Sequence, residues 1–533
     1  MRTNQKRAQK LEVARAAAST TPKPLTFWEQ YKRKPQGMVG LGIVLVYVLV
    51  ALFAPIIAPH DPMNDLYLAD SIAAPAWMSK LGGKYQGLPP TLRFSLGHDQ
   101  WNIAKTHGVD ISPWKRDAGD GIEIIMPATI EEPVDKAEGT EAADIPWISS
   151  FKWDPFGSDE DSEESTEVAA AGEVLEPIQD KAELKYSFSY NYKQPQTFSA
   201  SFLYDIDAPS DATTLMELEL ITPSGKNFSL WQAKTHGKVT GGKALVDARD
   251  LDLKMRLGLA FFDEPTDVVF AEQGDYTLCL RANTASSTEP VTIRLQPVEF
   301  KVLGMVHGLL GTDHLGSDLW SQLVYGTRIA LAIGLSAAFI AVVIGTSVGL
   351  IAGYLGGMVD EVLMRVVDVL LAVPTMPILI ILGALFGKSI FNVVILLALF
   401  SWMGIARIVR AQTLSLKERT FVEAAKASGA SSDYIMASHI LPNTVPLIFA
   451  NLVLRIPSAI LTEASLSFLG LGDPRVPTWG RILQNSRQFG GFTKMAWWWL
   501  LPPGLALTFL SLAFVFIGNS VNEILNPRHR ERS

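Results

Sequence analysis

Residues 37–58 read GMVGLGIVLVYVLVALFAPIIA, and no formal charge falls anywhere between 35 and 59. At 1.5 Å of rise per residue, this run of 22 residues forms a helix of about 33 Å, enough to cross a hydrocarbon core about 30 Å thick. One membrane helix is therefore expected over 37–60. Five more stretches with little or no charge, centred near 340, 377, 398, 452 and 508, bring the expected number of spans to six. The fold class that follows is a polytopic α-helical membrane protein.

Composition agrees. The chain has 533 residues, 48% hydrophobic and 19% charged, and a mean hydropathy of +0.19, which argues against a purely soluble protein. A single cysteine, Cys279, rules out an intrachain disulfide framework or a multi-cysteine metal site, and the eight histidines form no HExxH pair. No metal site is expected.

Ahead of the first span, nine basic residues between Arg2 and Lys34 face only Glu12 and Glu29. The positive-inside rule then holds segment 1–36 in the cytoplasm. A cleaved signal peptide is disfavoured because the apolar run is too long and a long segment precedes it. Six spans from a cytoplasmic start also place the loops at 353–362 and 408–443 and the tail 521–533 inside. Arg407, Arg410, Lys417, Arg419 and Lys426, with Arg528, Arg530 and Arg532 in the tail, agree with that side. Residues 61–306 are then extracytoplasmic. They carry 40 acidic against 21 basic residues, whereas the rest of the chain carries 14 against 25. Long loops are translocated whatever their charge, so this asymmetry does not set the orientation.

Within 61–306, residues 131–183 are rich in Glu, Asp, Ser, Pro and Ala, including SDEDSEEST at 158–166. Too little apolar surface offsets the cost of ordering them, so they read as a linker. Asp159, Asp161, Glu163 and Glu164 lack the glycine and spacing of a calcium loop. From 184 to 303 the period changes to two: LMELELI at 215–221, YTLCLRA at 276–282, VTIRL at 291–295 and VEFKV at 298–302 predict a β-sandwich-like domain. Cys279 sits on one of these strands as a packing residue. Gly237, Gly242 and Lys243 mimic a phosphate loop, but Ala244 stands where a hydroxyl should hold magnesium, so nucleotide binding is not expected there.

The informative stretch is FVEAAKASGASSDYIMASHILPN, residues 421–443. Glu423, Ala424, Ala425 and Gly429 put small residues where a short helix turns or is approached closely, and Pro442 is expected to stop a second helix before the next span. A helix-turn-helix of small residues suits docking onto another protein. This loop resembles the EAA motif of binding-protein-dependent ABC importer permeases, and His439, Ile440, Leu441 and Pro442 resemble its peptide-importer branch. GTDHLGSDLWSQLVYGTRIAL at 311–331, DEVLMRVVDVLLAVP at 360–374 and TEASLSFLGLGDPRVPTWG at 462–480 resemble the second permease of dipeptide and oligopeptide importers. Two departures stand out. Ser317 occupies the place of an arginine in the usual GTDxxGRD, and a short outer loop is replaced by residues 62–306.

The resemblance implies a type I ABC permease core over 307–520, with Glu423, Ala424, Ala425, Gly429, His439, Leu441 and Pro442 coupling it to ATPase subunits. It also implies a heterodimer with a homologous permease, two ATPases carrying ATP and magnesium, an extracytoplasmic solute-binding protein, and no cofactor or catalysis in this chain. Glu423 would pair or cap within the ATPase groove. A membrane-anchored ligand sensor, a secondary transporter and an importer of a metal chelate or other small solute are the competing readings.

Several residues inside spans bear on the translocation path. Arg455 lies within the fifth, where a charge costs about 2.5 to 3.5 kcal/mol on insertion scales, so it must face protein or water. It would contact a peptide carboxylate or pair with another helix. Glu463, eight positions on and on about the same helix face, is expected to reach water near the outer interface. Pro374 and Pro377 are expected to kink the third span. Asp368 and Arg365 are expected to pair locally, and glycines at 334, 345, 349, 353, 356 and 357 to permit close helix packing.

Overall fold

A computed structural model describes residues 26–128 and 180–525, apart from 107, 117, 118, 261, 286 and 288. The basic residues before 26, most of the acidic linker with its SDEDSEEST cluster, and Arg528, Arg530 and Arg532 lie outside the described residues. The chain divides into two compact units, Met1–Thr91 with Leu303–Ser533, and Leu92–Val302.

The first unit is helical. Its principal helices are α1 (Pro35–Leu52), α2 (Leu319–Leu355), α3 (Gly357–Ala372), α4 (Thr375–Phe386), α5 (Ile390–Ser401), α6 (Met403–Lys417), α7 (Thr420–Ala427), α8 (Ser432–Ile435), α9 (Leu441–Phe468), α10 (Trp479–Gln488) and α11 (Trp497–Leu525). Five helical runs among the described residues are long and apolar enough to cross a membrane: 35–52, 319–355, 390–417, 432–468 and 497–525. A sixth is reached only if α3 and α4, bent by 86° at their junction, count as one span.

That bend corrects the expectation of a kinked third span. Pro374 disfavours the helical conformation in the residue before it, and Val373 is extended at φ −81°, ψ 131°. Pro374 is the residue preceding α4, and Pro377 occupies its first turn, where a missing backbone donor costs nothing. The helix is therefore broken at Pro374, and Pro377 helps to start the next one.

Glycine sets the distance between α2 and α6. A Cβ on Gly345 or Gly349 would lie 2.6 Å from the carbonyl oxygen of Trp402 or Ala406, and one on Gly353 would lie 2.9 Å from that of Arg410. The four-residue spacing gives one smooth face against which the second backbone packs. Gly37 and Gly40 do the same for α1, where added Cβ atoms would meet Ser520 Oγ at 2.7 Å and Ala513 O at 2.5 Å on α11.

The second unit is two antiparallel sheets around one core. Its strands are β1 (Leu92–Leu96), β2 (Asn102–Lys105), β3 (Asp110–Arg116), β4 (Gly119–Met126), β5 (Asp180–Tyr190), β6 (Thr197–Asp207), β7 (Thr213–Ile221), β8 (Asn227–His236), β9 (Val239–Asp247), β10 (Gly274–Ala285), β11 (Val291–Leu295) and β12 (Val298–Leu303). One sheet runs β1-β12-β6-β11-β4-β3, with β9 also paired to β6; the other runs β2-β5-β10-β7-β8. Alternate residues point inward, so Ile122, Phe198, Phe202, Ile293 and Phe300 of one sheet share a buried cluster with Leu184, Tyr190, Leu218, Tyr276 and Leu278 of the other.

The mainly β region thus begins at Leu92, not near 184 as the sequence pattern suggests, and residues 61–91 belong with the helical unit. Gly237 to Lys243 form the turn between β8 and β9 and the start of β9, so a strand and not a helix continues directly from them, which removes the phosphate-loop geometry. Cys279 is fully buried on β10, and burial pushes its thiol up to about 11. Beside it Arg281 donates to Glu183 at 3.1 Å and Glu219 at 2.5 Å. Hydrogen bonding from Lys185, reinforced by its charge and that of Arg281, holds the Glu183 carboxyl below its usual range.

Candidate functional site: the 420–443 lever and the polar residues of the spans

Helix α7 has two unlike faces. Val422 is fully buried in a cluster with Leu350, Tyr354, Val409, Leu416, Ile435 and Ile440, which ties the short helix to the ends of α2 and α6. Phe421, Glu423 and Ala424 point outward and are exposed. Ala425 is half-buried against the same cluster.

The helix ends where the sequence places glycine. Gly429 sits at φ +79°, while Ala430 N donates to Ala425 O at 3.1 Å and Gly429 N to Lys426 O at 3.0 Å. A Cβ at Gly429 would meet nothing within 4 Å, so the requirement lies in the left-handed backbone and not in space. Ser431 then caps α8, accepting from Tyr434 N at 3.4 Å.

From α8 the chain stays helical through a widened turn at Met436–Ile440 into α9. Pro442 therefore lies just past this widened turn, inside a continuous helical run, and does not stop a preceding helix. Leu441 packs on the buried cluster. His439 stands near two exposed rings, 5.6 Å from Tyr434 and 6.4 Å from Phe421 between ring centres. Asn443 Nδ2 donates to His439 O at 2.6 Å. The ammonium groups of Lys417 and Lys426 lie 5.7 and 5.6 Å from the ring of Tyr354 at the end of α2.

Ion pairs brace the helices above the lever. Arg410 of α6 binds Asp360 of α3, and Arg407 binds Asp368. The spacing of three residues predicts Arg365 as the partner of Asp368, but Arg365 is exposed and the aspartate is held from α6. A guanidinium on a facing helix reaches the short aspartate side chain more directly than one on the same surface, and pattern within one helix cannot reveal that partner.

The span residues fall into different environments. Glu463 is 3% exposed, accepts from Ser467 Oγ at 2.6 Å and is also hydrogen-bonded by Thr478, the capping residue of α10. It joins α9 to α10 and does not reach water. Arg455 is half-buried, with no hydrogen bond or ion pair among the described residues, and its guanidinium lies against α6 so closely that a Cβ on Gly404 would be 2.7 Å from it. Sequence reasoning overlooks the residues in register with it, Asn451, Ser458, Thr462 and Ser465, although their helical spacing is there to be read.

At the other end of α2, Asp313 organises a buried turn: its Oδ1 accepts from Leu315 N at 2.8 Å and Ser317 N at 3.0 Å, and its Oδ2 from Gln322 Nε2 at 2.7 Å. Ser317 is 1% exposed, and its hydroxyl has no partner among the described residues. It borders a cavity of about 40 Å³ that Asp313, Gln322 and Arg481 also line. The position at which the resemblance expects an arginine is therefore an internal one in this chain. His314 stacks on Phe489 with ring centres 3.7 Å apart, and burial holds its imidazole below the usual value.

Residues 345–531 match the family described as binding-protein-dependent transport system inner membrane component, and residues 25–75 match the N-terminal transmembrane domain of oligopeptide transport permease C. The oligopeptide transport system permease protein OppC of Haemophilus influenzae is 40% identical over 221 residues, 41% of this chain and 70% of that protein. The glutathione transport system permease protein GsiD of Pectobacterium atrosepticum is 40% identical over 220 residues, 41% of this chain and 72% of that protein. A solved inward-facing form of the MetNI methionine ABC transporter aligns with a TM-score of 0.31 at 20% identity, covering 38% of this chain and 97% of that one.

Proposed function

Because this chain belongs to the family of inner-membrane permeases of binding-protein-dependent transport systems, we propose that it forms half of a translocation path for dipeptides or oligopeptides and is driven through residues 421–443 by separate ATPase subunits. The names of its relatives support the solute class: OppC, DppC and GsiD are permeases for oligopeptides, dipeptides and glutathione. In this reading the second half of the path is a homologous permease, and a solute-binding protein delivers the cargo. ATP and magnesium belong to the ATPases.

The observation that carries the proposal is the two-sided build of α7. Its outer face offers Phe421, Glu423 and Ala424 to a groove on another protein, while Val422 is locked into the cluster that holds α2 and α6. Closure of the ATPases pulls the outer face, the buried side passes the displacement to those helices, and the unbroken helical run from 432 to 468 carries it into a span. Glu423 pairs or caps inside the groove, and Ala424 and Ala425 let the surfaces approach.

The amino and carboxyl ends and the lever face the cytoplasm, and the β unit lies outside, where it receives or selects the binding protein. The excess of Lys and Arg in the 407–426 segment supports that orientation. The decisive experiment removes residues 421–442 from the full complex. Loss of ATPase co-purification and of peptide uptake is expected, whereas undiminished uptake overturns the proposal. The chain purified alone is expected to hydrolyse no ATP.

A further inference from the structure

One face of α9 is polar over much of the depth of a bilayer core. Asn451, Arg455, Ser458, Thr462 and Ser465 are spaced by four, three, four and three residues, so they form a single stripe over about 21 Å of helix. All five are at least partly exposed, while Ile456, Pro457, Ala459, Ile460, Glu463 and Ala464 on the other sides are buried. Thr462 Oγ1 and Ser465 Oγ donate to the carbonyls of Ser458 and Leu461 at 2.7 and 2.8 Å, and Asn451 Nδ2 donates to that of Leu447 at 2.8 Å. The hydroxyl protons of Thr462 and Ser465 are spent within the helix, which leaves their oxygen atoms free to accept. Arg455 is the one charge in the stripe, and none of its donors is used among the described residues.

Lipid does not satisfy such a face, and a helix interface of the close-packed kind is made in this unit by glycines 345, 349 and 353 instead. A guanidinium with every donor unspent is the side chain suited to bind a carboxylate through two parallel hydrogen bonds. Gly404 leaves room for its head against the backbone of α6.

We infer that this stripe lines the path, with Arg455 as the anchor for a carboxylate group of the travelling solute. The inference rests on the importer reading above and adds the solute chemistry that the membrane unit recognises. Hydroxyl and amide oxygens above and below the anchor accept from the backbone or amino groups of a peptide whose free carboxylate Arg455 holds.

The test uses the full complex in proteoliposomes, with Cys279→Ser as background. Cysteine placed at Ser458, Thr462 or Ser465, with Arg455 kept, is expected to react with a water-soluble thiol reagent and to be protected by a free-acid dipeptide but not by its amide. A Val46→Cys control on α1 should stay unreactive. Arg455→Gln is expected to lower uptake of the free acid about tenfold or more while sparing the amide, and Arg455→Lys to recover part of it. Where the wild type admits only the acid, the protection pattern decides between the outcomes.

Unreactive stripe cysteines in a transporting complex would overturn the inference. So would equal loss of acid and amide uptake, or loss of complex assembly in Arg455→Gln, since either assigns Arg455 to an ion pair with another subunit. If the wild-type complex assembles with its ATPases yet takes up no peptide of either kind, the importer reading fails first and the inference falls with it.

Discussion

The helical and β units differ in what they leave unpaired. In the β unit Arg281 is matched by Glu183 and Glu219, Arg294 by Glu123, and one aromatic-rich cluster fills the space between two sheets. In the helical unit Arg455 has no partner among the described residues, Glu423, Phe421 and Tyr434 are exposed, and α4 presents Ile381, Leu385 and Phe386 outward. The first is finished within its own chain, and the second is shaped for partners. A membrane subunit can hold unspent donors and apolar faces because assembly, not folding, uses them.

Excision puts this contrast under the greatest stress. Leu92 and Val302 are register partners on neighbouring strands β1 and β12, so the β unit enters and leaves at one place. Joining Thr91 to Leu303 should leave a permease that still assembles with its ATPases, because domains with adjacent ends are removable with little strain. Binding-protein docking is expected to fall to background in a pull-down. Docking at the full level would assign the β unit another task, and failed assembly would show that the helical unit depends on it.

Core truncation comes next. Phe198→Ala should cost the β unit about 3 to 5 kcal/mol, read as a lowered thermal transition of that unit with ATPase association unchanged. Gly349→Val in the helical unit must push Ala406 O away from α2, at about 1 to 3 kcal/mol, and is expected to reduce the yield of monodisperse protein in detergent. If both variants unfolded together, the two units would not be energetically separate.

Gly429→Ala probes the lever itself. The methyl meets no atom, but a non-glycine residue in the left-handed region costs about 1 to 2 kcal/mol, so a modest fall in coupled ATPase stimulation is expected at unchanged expression. The smallest effect concerns pH. Glu183 has its carboxyl held below the unfolded value, so its contribution is full above about pH 4.3 and is lost as pH falls through the lower folded value. Lys185→Met should flatten that acid-side loss in a melting series of the full chain.

What the sequence discloses depends on whether the deciding partner is local. The strands at 215–221, 276–282, 291–295 and 298–302 alternate cleanly because each buries one face, and they are legible. The strands at 92–126 are not, being short or interrupted by Trp101, Pro113 and charged residues, with pairings to strands up to about two hundred positions away. Gly429 is legible because a helix end is a local event. The partner of Asp368 and the second partner of Glu463, Thr478, are hidden because they come from other elements, and the break at Pro374 looks like a kink because bend angle depends on what packs beyond it.

Helix α2 is 37 residues long, about 55 Å, well beyond the depth of a bilayer core. It begins at Asp318, which caps it by accepting from Ser321 N at 2.8 Å, and its far end supplies Tyr354 to the cluster around Val422. One continuous helix therefore spans the distance from the Asp313 turn to the Val422 cluster. In the proposed importer, any coupling by which cargo at the Asp313 turn shifts the grip of the ATPases on the other end is returned, by the same factor, when the ATPases bind first.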